Sequence, residues 1–279
     1  MKKKDLVWLL FLISSINMKA QEGLTVYFNL KTEPTEEIDF NETNAGVAVS
    51  TRVSDKNEIK NTIEYANLKI KYEAGLYNSF ENLNQFNRIQ NKFEISHKIS
   101  EFVKLIASVK PTINFQQNLD ISDVNILGSF QLKQQLNSKI ALNIGIERST
   151  VFGLPKFIPA VSFSGRINQM DILIGFPDAA ISYSNNERNK FRISNSFNGH
   201  FYNLDKSPES YNNAAKISTS QITAAFEYER NMDKNWFVNF KAGYDFDKQY
   251  HLLDENNYKL YDFNIGNGYI LGIGIKYKQ

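Results

Sequence analysis

A two-residue rhythm runs through most of this 279-residue chain after about residue 46, and it constrains the fold more than any other feature. From Ala66, the run Leu68, Ile70, Tyr72, Ala74, Leu76 alternates with Asn67, Lys69, Lys71, Glu73, Gly75. Leu105, Ala107, Val109, Pro111, Ile113, Phe115 oppose Ile106, Ser108, Lys110, Thr112, Asn114, Gln116. Ile140, Leu142, Ile144, Ile146 oppose Ala141, Asn143, Gly145, Glu147. Trp236, Val238, Phe240, Ala242, Tyr244, Phe246 oppose Phe237, Asn239, Lys241, Gly243, Asp245, Asp247, and Tyr269 to Tyr277 repeats the pattern. Successive side chains on a strand point to opposite faces, so each segment reads as a strand with one greasy and one polar face. No segment carries a comparably long 3.6-residue stripe.

The rhythm gives about twelve strands, within a range of 10–14: roughly 46–53, 62–76, 88–99, 102–116, 123–136, 139–149, 156–167, 170–184, 190–203, 216–230, 236–248 and 268–278. Leu24 to Leu30 is a possible further strand, and the acidic stretch Glu33 to Glu42 reads as a solvated segment ahead of the sheet. Paired strands must keep their greasy residues on one face, so turn lengths test the pattern. Asn168-Gln169 pairs Ile167 with Met170 and sets Arg166 opposite Asp171, a favourable cross-strand pair. A three-residue turn pairs Leu136 with Ile140. A turn around Asp233 pairs Arg230 with Trp236, Phe226 with Phe240 and Glu227 with Asn239. Greasy parity switches between Phe176 and Ile181, and Pro177 inside that switch predicts a bulge. Pro111, within one of the clearest strands, predicts a second local interruption.

Lys2, Lys3 and Lys4 precede an apolar run from Leu6 to Ile16, and Met18-Lys19-Ala20 leads into Gln21. That is the pattern of a secretory signal peptide over residues 1–20, with cleavage near Ala20/Gln21, and the run is too short to span a bilayer. Residues 21–45 then form an N-terminal segment and residues 46–279 the main domain. Losing the leader takes the formal charge from +2 to −1, which gives no ground for nucleic-acid binding. The chain has no cysteine, which excludes disulfides, thiolate zinc sites and thiol catalysis. Its 21 Phe and 14 Tyr argue against disorder.

The segment Leu154-Pro155-Lys156-Phe157-Ile158-Pro159, then Ile174-Gly175-Phe176-Pro177, Tyr183 and the final strand from Tyr269 to Tyr277, resembles an uncharacterised Gram-negative outer-membrane β-barrel family. The resemblance implies an all-β, antiparallel, up-and-down transmembrane barrel, with outer-membrane lipid and the barrel-assembly machinery as partners. Such barrels end on an aromatic residue; here Lys278 and Gln279 follow Tyr277. The alternative is an exported β-sandwich, whose strands alternate too. In a barrel the polar parity lines the lumen: Lys69, Lys71, Glu73, Lys110, Glu147, Arg166, Asp171, Arg192, Glu227, Glu229, Lys241, Asp245 and Asp247. Trp236, Tyr244, Tyr269 and Tyr277 fit interfacial girdles. Long connections at Leu204 to Ala215 and Gln249 to Asn267 alternate with short ones, as outer loops alternate with periplasmic turns.

Catalytic signatures are absent. The three histidines, His97, His200 and His251, have no metal spacing, and no H-E-x-x-H or G-x-S-x-G occurs. Glu227 with Glu229 and Asp245 with Asp247 read either as acid–base or cation-binding pairs or as parts of a lumen network. No enzyme activity, cofactor or metal is expected. Three functions stay open: a passive or gated pore for small solutes, a filled barrel that binds a partner through its outer loops, and an outer-membrane hydrolase.

Overall fold

The computed structural model describes residues 23–73, 77, 80, 82–205 and 213–279; the expected leader lies outside them. The described residues form fifteen strands and a 3₁₀ turn at Ile121–Asp123. The strands are β1 (Gly23–Glu33), β2 (Ile38–Arg52), β3 (Asn57–Tyr72), β4 (Gln85–Lys98), β5 (Val103–Phe115), β6 (Val124–Gln135), β7 (Ile140–Ser149), β8 (Lys156–Ile167), β9 (Met170–Phe176), β10 (Asp178–Asn186), β11 (Asn189–Asn203), β12 (Lys216–Asp233), β13 (Trp236–Leu253), β14 (Lys259–Phe263) and β15 (Gly268–Lys278). Each strand from β1 to β13 pairs antiparallel with the next; β13 pairs with β15, and β15 closes the ring on β1. The result is an all-β barrel of fourteen staves, with β14 laid against the far end of β13.

The barrel has a short-turn end, where links such as 168–169 and 234–235 are two residues long, and an opposite end carrying most of the longer loops. The alternation decides the faces. On β1, Val26, Phe28 and Leu30 are exposed outward, while Tyr27, Asn29 and Lys31 turn inward to Glu64, Asn44 and Glu42. Directly paired residues share a face, so the register carries this parity around the ring.

Several expectations are corrected. The barrel begins at Gly23 rather than residue 46, and the acidic stretch Glu33 to Glu42 is not a solvated lead-in. It is the β1–β2 hairpin, with Glu33 and Glu42 buried inside. The parity switch at Pro177 is a reversal, not a bulge: the chain turns there through a cis Phe176-Pro177 peptide and splits the expected strand 170–184 into β9 and β10. The hairpin below Trp236 closes in the two-residue turn 234–235, with Lys234 at a positive φ of 32°, and a one-residue shift between Asn231 and Asp233 follows, so the register above lies two residues from the expected one. Phe226 therefore faces Ala242, and Glu227 faces Lys241 directly. The registers Arg166 to Asp171 and Leu136 to Ile140 are as read from the sequence. Pro111 stays within β5 and keeps its pair with Ile126. The ladder to β4 skips from Gln90–Thr112 to Phe93–Val109 where proline has no N–H to donate.

A bulge does occur, at Asp247. The β12–β13 register shifts by one between Ile222–Phe246 and Ser220–Gln249, and Asp247 takes a φ of 47°. The extra residue reverses the parity of β13, so Tyr250 and Leu252 above it turn inward and are fully buried. With Gly199, the lack of a Cβ matters. It lies in β11 above the short β9–β10 hairpin, and the β7–β8 loop crosses it so closely that a Cβ would sit 2.2 Å from Thr150 O. Phe152 of that loop packs on Phe197 and Phe176, covering the low point of the wall.

Candidate functional site: an occluded lumen

Inward side chains change character along the barrel axis in three steps. Nearest the short turns the lumen is charged and wet. Lys104 pairs with Glu58 at 3.2 Å, Lys92 with Glu94 at 2.8 Å, and Lys276 and Lys278 hold Glu229 at 2.7 and 2.8 Å. Arg166 and Asp171 pair at 2.6 Å at the rim. Glu227 accepts from Ser194 Oγ at 3.4 Å and lies 4.0 Å from Lys241. A cavity of about 260 Å³ opens beside them, lined in part by Asn29, Asn44, Asn239 and Lys241.

Above it the same kind of chemistry becomes dry. Lys31 bridges Glu33 (2.7 Å) and Glu42 (3.0 Å), and Arg88 reaches Glu42 (3.1 Å) and Glu64 (3.3 Å). Lys248 pairs with Glu33 at 2.5 Å and lies 3.7 Å from Asp245, whose other oxygen accepts from Thr223 at 2.6 Å. The side chains of Lys248 and Asp245 are 1% and 0% exposed, against 43% for Lys92 and 51% for Glu58 lower down, while Lys31, at 28%, borders the lower cavity. Arg88 on β4 also donates to His200 Nδ1 on the opposite stave β11, at 2.7 Å. A guanidinium has no acceptor, so this ring nitrogen must be the unprotonated one and His200 is neutral.

The third step is an apolar cap. Ile38, Phe40, Leu68, Ile70, Tyr77, Leu83, Phe86, Tyr202, Ala214, Ile217, Tyr250, Leu252, Phe263 and Ile265 form one buried cluster across the loop end. Most belong to the staves themselves. Phe86 of β4 meets Tyr202 of β11 at 5.1 Å, Phe40 meets Tyr250 edge-on at 5.6 Å, and Phe263 of β14 stacks on Tyr250 at 4.2 Å. The Tyr72 and Tyr250 hydroxyls hydrogen-bond at 2.8 Å. Cα atoms of β5 and β11 come within 8 Å, so opposing walls touch. From the loops, Tyr77 donates to Glu37, and burial with this bond pushes its hydroxyl pKa well up. Asp205 accepts from Asn118, tying the rim together. Burial holds Asp123, in the 3₁₀ turn, above the usual carboxylate range.

Among the residues expected to face the lumen, Lys110, Glu147, Arg166, Asp171, Arg192, Glu227, Glu229, Lys241 and Asp245 share the inward parity. Four do not. Lys69 and Lys71 lie exposed on the outer face, because it is Leu68 and Ile70 that turn inward into the cap. Glu73 lies exposed just past β3. Asp247 is the bulge residue and is turned out, so it does not pair up with Asp245. Trp236 and Tyr277 pack at 5.2 Å on the outer face at the short-turn end, and Tyr244 and Tyr269 at 5.3 Å nearer the loops. His97 is exposed and bonds Asn57, and His251 lies 3.1 Å from Asp262. Among the described residues no cluster of His, Asp or Glu is arranged to hold a metal. Sequence reasoning missed Lys31, Glu33, Glu42, Arg88 and Lys248. Continuing the Val26–Leu30 alternation to Lys31 and Glu33 was the signal available for the first two.

These features define a closed antiparallel β-barrel with an apolar outer wall and an occluded lumen. The chain belongs to a family described as a domain of unknown function, DUF6268, whose model matches residues 30–278. No curated protein matches it. Among solved structures it is similar to the NanC porin (10% identity, 91% of this chain and all of that one, TM-score 0.45). It is also similar to the KdgM porin (7%, 91% and 98%, TM-score 0.40). A third is the translocator domain of the autotransporter NalP from Neisseria meningitidis (8%, 98% and 95%, TM-score 0.41). Likeness at this level says nothing of function.

Proposed function

We propose that this chain is an exported outer-membrane β-barrel whose lumen is shut at its extracellular end, and that it works as a membrane-anchored interaction element rather than as an open pore. The membrane reading rests on the belt of outward apolar residues. Tyr269 to Tyr277 is eight residue steps, ~27 Å along the strand at ~3.4 Å each. A tilt of ~35–45° turns that into roughly 20 Å across the bilayer, near the height of the apolar band of known barrels. The N-terminal leader supports export, and the longer loops then face outward.

The closed reading rests on one observation: the cap is built into the walls. Withdrawing the loops would leave Phe86 against Tyr202 and Arg88 against His200. Exposing only Phe86, Tyr202, Tyr250 and Phe263 would cost roughly 6–12 kcal/mol at ~1.5–3 kcal/mol each. Even the lower figure leaves fewer than about one barrel in ten thousand spontaneously open. A gated pore is the second reading, favoured by the solvated lower lumen. The three histidines engage Arg88, Asn57 and Asp262, and among the described residues none is paired with a nucleophile, so we assign the chain no reaction. The test is planar-bilayer recording of refolded Gln21 to Gln279 with insertion verified by protease protection. Silence is expected; stable stepwise conductance would overturn the closed reading.

A further inference from the structure

Two rows of outward side chains run across the wall perpendicular to the strands, and between them lies a groove of about 880 Å³. One row is Thr43, Leu30, Ile273, Phe240, Tyr228 and Phe191, each directly paired with the next. The adjacent row is Asn41, Thr32, Leu271, Ala242 and Phe226. Lys31, Glu42, Gly272 and Lys241 also line the groove. These positions have the inward parity, so they present backbone as its floor. Five strand-to-strand steps of ~4.8 Å make the groove ~24 Å long, the reach of a long fatty-acyl chain.

The groove has two chemically different ends. At one, Phe191 stacks on Tyr228 at 5.1 Å, and Tyr228 faces Phe240 at 6.5 Å. At the other are Thr43, Thr32 and Asn41, and the next residue in the Asn41 row is Lys69 of β3. Lys69 and Lys71 are exposed here, on the loop side of the apolar belt. The acid facing them on the neighbouring strand is Asp39, opposite Lys71. Among the described residues neither lysine forms an ion pair. We infer that the groove holds an anionic acyl lipid of the outer leaflet, its chain along the aromatic rows and its phosphate at Lys69 and Lys71. This rests on the membrane reading above.

The experiment begins with insertion of the full barrel into vesicles, read by protease protection. Failure to insert overturns the membrane reading and this site with it. The inserted barrel is then extracted into micelles containing equal phosphatidylglycerol and phosphatidylcholine, and native mass spectrometry reads the lipid retained. One lipid per barrel is expected, favouring phosphatidylglycerol about five-fold for each lysine that meets the headgroup. The double variant Lys69→Ala, Lys71→Ala should retain both lipids equally. Ala242→Trp, which places a ring in the groove at a lipid-facing position, should retain neither. Replacing phosphatidylglycerol by lipid A tells which phosphate-bearing lipid binds better, and a preference over phosphatidylcholine in either case supports the site. Equal retention of phosphatidylcholine by the unmodified barrel, or undiminished retention in Ala242→Trp, overturns the site while leaving the membrane reading standing.

Discussion

Arg88 and Arg166 both lie on the inward parity and both pair with carboxylates, yet they stand in different solvents. The Arg88 side chain is 11% exposed between Glu42, Glu64 and His200, whereas Arg166 at the rim is 75% exposed. Removing one partner from a buried network strands the remaining charge, which typically costs ~3–5 kcal/mol. Arg88→Ala should therefore lower the unfolding free energy of the vesicle-inserted barrel, read from its urea midpoint and slope, by an amount in that range, because Glu42 and Glu64 lose their shared cation. Arg166→Ala should leave the midpoint unchanged, since water and salt already screen its pair with Asp171. Equal losses in the two variants would mean that the dry layer is not dry. Sequence alone singled out Arg166, through its short turn to Asp171, and passed over Arg88, because parity reports which face a residue takes and not how far along the axis water reaches.

At the scale of single strands, the alternation made most staves legible, and short turns made two of three hairpin registers legible as well. Its limit appears on β3. Leu68 and Ile70 alternate with Lys69 and Lys71, and the pattern says only that two faces differ. A cap that is apolar inside uses the same residue types as a wall that is apolar outside, so the polarity of the upper part of β3 was read backwards. Points where parity breaks were the other loss. Pro177 marked one, although a chain reversal and a bulge give the same switch in a string of letters. Asp247 had no marker, since a positive φ at an Asp leaves no trace in hydropathy. That bulge has a large consequence, because it turns Tyr250 and Leu252 into the cap and brings Lys248 to Glu33. Asp247→Val, whose β-branched side chain opposes the positive φ that the bulge requires, should press the strand toward uniform parity and put Tyr250 and Leu252 outside. The loss of their burial alone amounts to ~3–6 kcal/mol. The valine variant should lose the heat-modifiable gel shift of the folded barrel, whereas Asp247→Gly, which keeps the bulge and suits its φ, should retain it. Retention of the shift by the valine variant would show that the cap does not depend on the bulge.

Taken as one object, the barrel is asymmetric along its axis. A wet, charged lumen at the short-turn end gives way to a desolvated ion-pair layer and then to an apolar cap shared between opposing staves. That order decides what perturbation could open it. Mutating the wet layer changes which ions the vestibule attracts but leaves the constriction in place. Trimming the cap attacks the constriction itself, at Phe86, Tyr202 and Tyr250, where rings from β4, β11 and β13 close the gap. Each large-to-alanine change there should cost ~3–5 kcal/mol, so a double variant is the most the fold is expected to tolerate. Phe86→Ala with Tyr202→Ala should turn a silent barrel into one with flickering conductance, since the removed rings leave Arg88 and His200 bridging a wetted gap. Glu227→Gln with Lys241→Met, in the wet layer, should stay silent in the same recording. Conductance from the cap variant alone places the barrier at the cap. If both variants conduct, the lower lumen is part of the barrier. If the cap variant is folded, inserted and still silent, the ion-pair layer is sufficient to close the barrel by itself.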